Sequence, residues 1–186
     1  MSVREGDTLE IPDFIIHYSR GEPFRSISGV PKDKLPAVIK ELSETNAWGL
    51  ERFSDSKYLE QRLVVEKKIR EDFIAKGGTP QLLHPIYFFL GRNLDFDSHE
   101  SNRGYRIRLR DLPKGSVSFT YGDSMFSLNE ENRKLRGGAY LGSLCRQIYV
   151  PEELPFLFSH QEFQSAERLH VEAQLWIAPS EATISL

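Results

Sequence analysis

Apolar residues recur along this chain with two different periods, and one gives way to the other before its midpoint. Phe14-Ile15-Ile16-His17-Tyr18-Ser19 is a short β-prone run, closed by Arg20-Gly21-Glu22-Pro23. A connector through Pro31 leads to a predicted helix over 33–44. Pro36 must then sit in its first turn, where a missing N–H costs nothing. Asn46-Ala47-Trp48-Gly49 ends that helix. A long helix is predicted from about Lys57 to Lys76, with Ser56 as its expected N-cap and Gly77-Gly78 and Pro80 closing it. Beyond it the period drops to two. Strands are predicted over 86–90, 105–109, 117–121, 147–150 and 169–177, with a helical turn over 151–158. Helices early and strands late predict an α+β domain with a mostly antiparallel sheet.

The long helix carries charge where its own pattern asks for apolar residues. Tyr58, Leu59, Leu63, Val65, Ile69, Phe73 and Ile74 fall on one broad arc, opposite Glu60, Gln61, Lys67, Lys68, Glu71 and Asp72. Arg62, Glu66 and Arg70 project from the inward arc as well. A charge there costs several kcal/mol, about the penalty of burying an ion, unless it is paired or faces a cavity. Two readings follow. Arg62 and Glu66 form an i,i+4 ion pair holding the helix to the sheet, or Arg62 offers its guanidinium fork to a phosphate or carboxylate in a cleft.

The last strand divides its residues just as unevenly. Leu169, Val171, Ala173, Leu175 and Ile177 alternate with His170, Glu172, Gln174 and Trp176. One face is apolar. The other gathers an imidazole, a carboxylate, an amide and an indole, which suits either a cleft floor or a solvated face with Trp176 packed over it. His17, at the end of the first strand, is a third candidate, with a structural role as its alternative.

Composition narrows the class. The chain has 186 residues, 39% of them hydrophobic, with 12 Phe, 7 Tyr and a single cysteine, Cys145. That length suits one domain, 1–186, which buries roughly 70% of its extended surface without staples. The lone cysteine excludes an intrachain disulfide framework and fits a reducing, cytoplasmic compartment. No apolar run approaches the roughly 18 residues of a membrane span, and Met1-Ser2-Val3-Arg4-Glu5-Gly6 lacks a signal-peptide core. His17, His84, His99, His160 and His170 show no metal-ligand spacing. Phosphate-loop, dinucleotide, nucleophile-elbow and kinase motifs are all missing from the sequence. The formal charge of −3 disfavours a strong non-specific nucleic-acid binder, yet two basic clusters stand out locally. Arg106, Arg108 and Arg110 share one strand face, and Arg133, Lys134 and Arg136 precede Gly137-Gly138. Such a stripe can track a nucleic-acid backbone, or form the solvated side of an edge strand.

The order of these pieces resembles an ADP-ribosyltransferase fold and, within it, the DarT-like toxins that modify DNA. Ile16-His17-Tyr18-Ser19, with Phe24-Arg25-Ser26-Ile27 after it, resembles that family's first strand, whose H-x-T segment binds the nicotinamide end of NAD. Here Ser19 replaces the usual Thr. Tyr58-Leu59-Glu60-Gln61-Arg62-Leu63 is similar to the family's I-x-x-R-R segment. Pro85-Ile86-Tyr87-Phe88-Phe89-Leu90-Gly91-Arg92 is similar to its V-P-x-Y-F-x-x-R strand, with Asn93-Leu94 in place of S-P-M. Val117 to Ser124 resembles a strand ending near D-G-N, reordered here as Tyr121-Gly122-Asp123. His170-Val171-Glu172-Ala173-Gln174-Leu175 is similar to the Q-A-E-x-L-V strand that carries the catalytic glutamate.

The resemblance implies an α+β, ADP-ribosyltransferase-like split sheet with helices packed on it. It implies a pentosyltransferase acting on NAD without a metal, with Glu172 and Arg62 catalytic and His17, Tyr18, Ser19 and Tyr87 around NAD. Arg106, Arg108, Arg110, Arg133 and Arg136 would meet a nucleic-acid acceptor, and a toxin of this kind would call for a neutralising partner protein. The alternative is a non-catalytic nucleotide- or nucleic-acid-binding module of the same fold. Arg62 and Glu172 are reached both by the resemblance and by the charge pattern alone.

Overall fold

A computed structural model describes residues 9–44, 52–53, 55–98, 103–136, 138–165, 168–180 and 184. The expected helix stop over 46–49 and the segment 1–6 lie outside them. In chain order the elements are β1 (Phe14–Ser19), α1 (Leu35–Glu44), α2 (Ser56–Ala75), β2 (Ile86–Leu90), α3 (Leu94–Asp97) and β3 (Arg103–Arg108). Then come β4 (Val117–Tyr121), α4 (Ser124–Ser127), α5 (Glu130–Arg136), β5 (Ile148–Tyr149), α6 (Leu154–Ser159), α7 (Gln161–Gln164) and β6 (Val171–Leu175). Pro36 does sit in the first turn of α1.

The strands form one six-stranded sheet in the order β3-β1-β2-β6-β4-β5, with every neighbouring pair antiparallel. The expected split into two halves is thus replaced by a continuous sheet, although the β1–β2 ladder is reduced to Ile15↔Leu90 and Ile16↔Phe89. The last strand in the chain, β6, lies near the centre, between β2 and β4. A carboxylate on it is therefore flanked on both sides by backbone.

Each face of the sheet is covered differently. On one, Ile15, Phe88, Ile107, Phe119, Ala173 and Leu175 pack with Leu154, Leu157 and Phe158 of α6 in the larger core. On the other, Val65, Ile69 and Phe73 of α2 meet Met125, Ile148 and Trp176. Trp176 is completely buried and stacks on Phe73 with ring centroids 6.0 Å apart. Burying each such side chain contributes about 1.5–3 kcal/mol.

Several expectations change. Asp55, rather than Ser56, caps α2, its carboxylate accepting the Lys57 amide at 2.9 Å. Ile74 is exposed, so the apolar arc of α2 is narrower than its sequence suggests. The last strand runs only from Val171 to Leu175, and beyond it the Trp176 carbonyl accepts the Gln81 and Leu82 amides, both at 2.9 Å, from outside the sheet. Arg133 and Arg136 belong to a helix, α5, rather than a loop. Arg110 lies past the end of β3 in a 3-10 turn, off the expected stripe.

Candidate functional site

The polar face of β6 is the floor of the site, and it is largely roofed. Antiparallel register sets Glu172 opposite Phe89 and Thr120, and Gln174 opposite Tyr87 and Ser118. Cross-strand partners share a face, so these six side chains point the same way, toward α2. Gln174, Ser118 and Thr120 are fully buried. The face is thus covered at Gln174 and Trp176 and opens toward the start of β6, where Glu172 is half-buried and His170 exposed.

Burial of so many polar groups is tolerated because each finds a partner. The Trp176 indole donates to Ser118 Oγ at 2.9 Å, and Ser118 donates to Gln174 Oε1 at 3.0 Å. The Gln174 amide nitrogen donates to Thr120 Oγ1 and to Glu172 Oε1, both at 3.0 Å. The Ser124 amide, at the start of α4, reaches the same Glu172 oxygen at 3.3 Å. The turn that delivers it needs glycine. Gly122 has φ +76°, and a Cβ there would lie 2.7 Å from the Tyr140 ring and 2.8 Å from Leu169.

Glu172 makes no ion pair among the described residues; its direct hydrogen-bond donors are the Ser124 and Gln174 N–H groups. Burial, reinforced by Asp123, pushes its carboxyl up to about 8, with Ser124, Arg62 and Gln174 pulling the other way. It is thus mostly neutral at pH 7 when the pocket holds no cation. A perturbed acid of this kind is a functional-site signal with a physical basis.

Arg62 comes to the same region from α2. Its Nε donates to Glu66 Oε1 at 3.0 Å and to Ser28 Oγ at 3.1 Å, and its Cζ lies 4.3 Å from the centre of the Tyr87 ring. Burial disfavours its charge, but Tyr87, Glu66, Tyr58 and Glu172 more than offset this and raise its pKa. The Arg62–Glu66 ion pair exists, and among the described residues the two terminal nitrogens make no hydrogen bond within the protein. Tyr87 has one ring face under that guanidinium, and its hydroxyl donates to Glu66 Oε1 at 3.1 Å. Burial raises the phenol's pKa well above its ordinary value.

The other sequence candidates are placed apart. His17 packs against Phe24 and Phe88, on the opposite face of the sheet from Glu172. Its Nδ1 lies 2.8 Å from the Tyr87 carbonyl, and its Nε2 accepts the Phe24 amide at 3.2 Å. Both ring nitrogens are thereby used within the fold, and burial lowers the imidazole's pKa. Tyr18 is on the Glu172 face but at its rim, donating to Asp97 at 2.8 Å and stacking on Phe96. Ser19 is spent on its own turn, donating to the Gly21 carbonyl.

Of the arginines, Arg133 is buried and donates to the Ser127 carbonyl at 3.0 Å, so it offers no surface to a nucleic acid. The side chain of Arg136 lies outside the described residues. Arg106 is half-buried with its guanidinium over Phe14, whereas Arg108 and Arg110 are exposed. Glu66, Ser28, His84, Ser124 and Gln174 complete the site without having stood out as a group in the sequence. Glu66 and Gln174 were marked by the helix and strand patterns and Ser124 by the turn Tyr121-Gly122-Asp123, whereas Ser28 and His84 carried no signal.

A cleft of about 210 Å³ opens where β2 ends and β6 begins, with Phe89, Arg92, Asn93, Arg168 and His170 in its wall. Phe89 is the cross-strand partner of Glu172, so this cleft adjoins the site. Among the described residues no group of three His, Cys, Asp or Glu is placed to hold a metal, and no helix is long and apolar enough to cross a membrane. Comparison with protein-family models, with curated proteins and with solved structures returns no match.

Proposed function

We propose that this site binds NAD and transfers ADP-ribose to an acceptor. The observation that carries the proposal is the convergence of Glu172 and Arg62, with Tyr87 between them, on one face of the sheet. A carboxyl without a counter-ion suits a reaction that creates positive charge. As the bond from ribose C1′ to the nicotinamide nitrogen breaks, its electron pair leaves with nicotinamide and an oxocarbenium-like centre forms. The cationic substrate favours ionised Glu172, which stabilises that centre and then takes the proton released by the acceptor as the new C1′ bond forms. The terminal fork of Arg62 fits a diphosphate oxygen. Arg106, Arg108 and Arg110 are the basic surface available to a nucleic-acid acceptor. They lie three strand spacings from Glu172, about 14 Å at roughly 4.8 Å each.

The test is nicotinamide release from NAD, with water alone and with pooled DNA, RNA and protein acceptors. Release that Glu172→Gln lowers by roughly 10²–10³, with the fold intact, supports the reading. An inactive wild type that also fails to bind NAD refutes it. The neutral state of Glu172 at pH 7 favours a second reading, a non-catalytic nucleotide-binding module. NAD binding without release, whatever the acceptor, selects it.

A further inference from the structure

Glu66 has no role in the transfer just proposed, yet it is the most heavily bonded carboxylate in the site. It is 1% exposed in the middle of α2. Its Oε1 accepts from Ser28 Oγ at 2.7 Å, Arg62 Nε at 3.0 Å and the Tyr87 hydroxyl at 3.1 Å. Its Oε2 is 2.7 Å from His84 Nδ1. These partners come from the turn after β1, from α2 itself, from the loop before β2 and from β2. All four can donate, and only a carboxylate accepts from four donors at once. An amide in its place would turn an N–H toward one of them and leave a buried donor unsatisfied.

We infer that Glu66 is the positioning residue for Arg62, fixing which edge of the guanidinium meets the ligand. The inference rests on the NAD reading for its ligand, although the geometry stands without it. A guanidinium presents one edge through Nε and one terminal nitrogen, and a fork through both terminal nitrogens. With Nε engaged by Glu66 and Ser28, rotation about the last side-chain bonds is blocked. The plane is also held against Tyr87, whose hydroxyl is tied to the same Glu66 oxygen. The fork is therefore held in one orientation before any ligand arrives, which lowers the ordering cost of binding an anion. Ion pairing alone would satisfy Arg62 in many orientations; the shared oxygen selects one.

Two measurements decide this. In the wild-type protein, the Nε–H proton of Arg62, assigned by its disappearance in Arg62→Lys, should be resolved by NMR and protected from exchange at pH 7. Exchange as fast as in free arginine overturns the inference. In a double-mutant cycle, Glu66→Gln should weaken NAD binding roughly ten- to a hundredfold, the loss of one charge-assisted hydrogen bond. In an Arg62→Met background the same substitution should weaken it less than about twofold, because a residue acting through another has nothing left to position. Equal weakening in both backgrounds marks Glu66 as merely structural and sinks the proposal. If wild type does not bind NAD, the NAD reading falls, and the protection of the Arg62 proton still decides the role of Glu66. The same wild-type measurement stands if Glu66→Gln fails to fold.

Discussion

The His17 imidazole and the Tyr87 carbonyl are joined at 2.8 Å across a gap where β1 and β2 have stopped pairing. The ring of His17 packs on one face of the sheet, and the ring of Tyr87 lies on the other. A side chain stands in for a rung of the ladder, and it ties the turn after β1 to the strand beneath the site.

That bond makes His17 a stability residue with a definite pH signature. Burial lowers its pKa below the ordinary 6.5, so the unfolded chain binds the proton more tightly than the native one. Stability contributed by neutral His17 is complete above about pH 6.5 and is lost as the pH falls. His170 is shifted the same way, also by burial. Between pH 6.5 and pH 5, thermal melts should show wild type losing more stability than His17→Gln, whatever slope the other titrating groups add. An equal loss in His17→Gln would assign the dependence elsewhere.

Glu172 produces the opposite slope. Its carboxyl rises from an ordinary 4.5 to about 8, so the native state holds a proton that the unfolded state has released. Stability is greatest below pH 4.5 and declines as the pH climbs through about 8. Above pH 6.5 the histidine contributions are complete, so a decline between 6.5 and 8 reports on Glu172. Glu172→Gln should abolish that decline, which amounts to about 1–2 kcal/mol across the interval at roughly 1.36 kcal/mol per pH unit for one proton. Parallel wild-type and variant curves across that interval would contradict this.

The Arg62–Glu66 pair separates stability from function. Glu66→Ala alone should cost about 3–5 kcal/mol, because it strands a cation and several donors. Arg62→Met combined with Glu66→Leu should recover only part of that loss in a denaturant titration, since no cation is stranded but Ser28, Tyr87 and His84 still lose their acceptor. The folded double variant should nevertheless lose NAD-dependent nicotinamide release. Retained activity would show that the pair serves the scaffold alone.

The arginines sort by exposure. Arg133→Ala should lower stability by about 1–3 kcal/mol through its lost bond to Ser127, and leave any nucleic-acid affinity unchanged. Arg108→Ala and Arg110→Ala should do the reverse. Each should weaken binding to DNA or RNA and reduce the slope of log K against log salt by about one. Binding that is insensitive to both would remove β3 and its following turn as a contact surface.

Period-two segments were readable because strand alternation is local: Ile86–Leu90 and Val117–Tyr121 appear where their residues place them. The inward charges of α2 were also readable, since helical geometry alone sets Arg62 and Glu66 four residues apart on one side. What could not be read was which polar face would be covered. That Gln174 is sealed from water while His170 is exposed depends on α2 packing with Met125, Ile148 and Trp176, a long-range event with no local pattern. The same holds for His17, whose face is set by pairing with Tyr105 and Ile107 on β3, far along the chain. Arg133 looked like surface charge because a short helix, α5, folds it inward.

The chain of bonds from Trp176 through Ser118 and Gln174 to Glu172 has a direction. An indole nitrogen can only give a proton, so Ser118 must pass its own proton onward, and the Gln174 carbonyl must be the atom that receives it. The amide's N–H is then turned toward Glu172, whatever the pH. A second lock acts from the other side: the Thr120 hydroxyl gives its proton to the Gly122 carbonyl, so it too accepts from the Gln174 amide. Phenylalanine at 176 would leave a cavity beside Phe73 and remove one of the two locks, so the hydrophobic core of this protein and the electrostatics of its site have to be altered together.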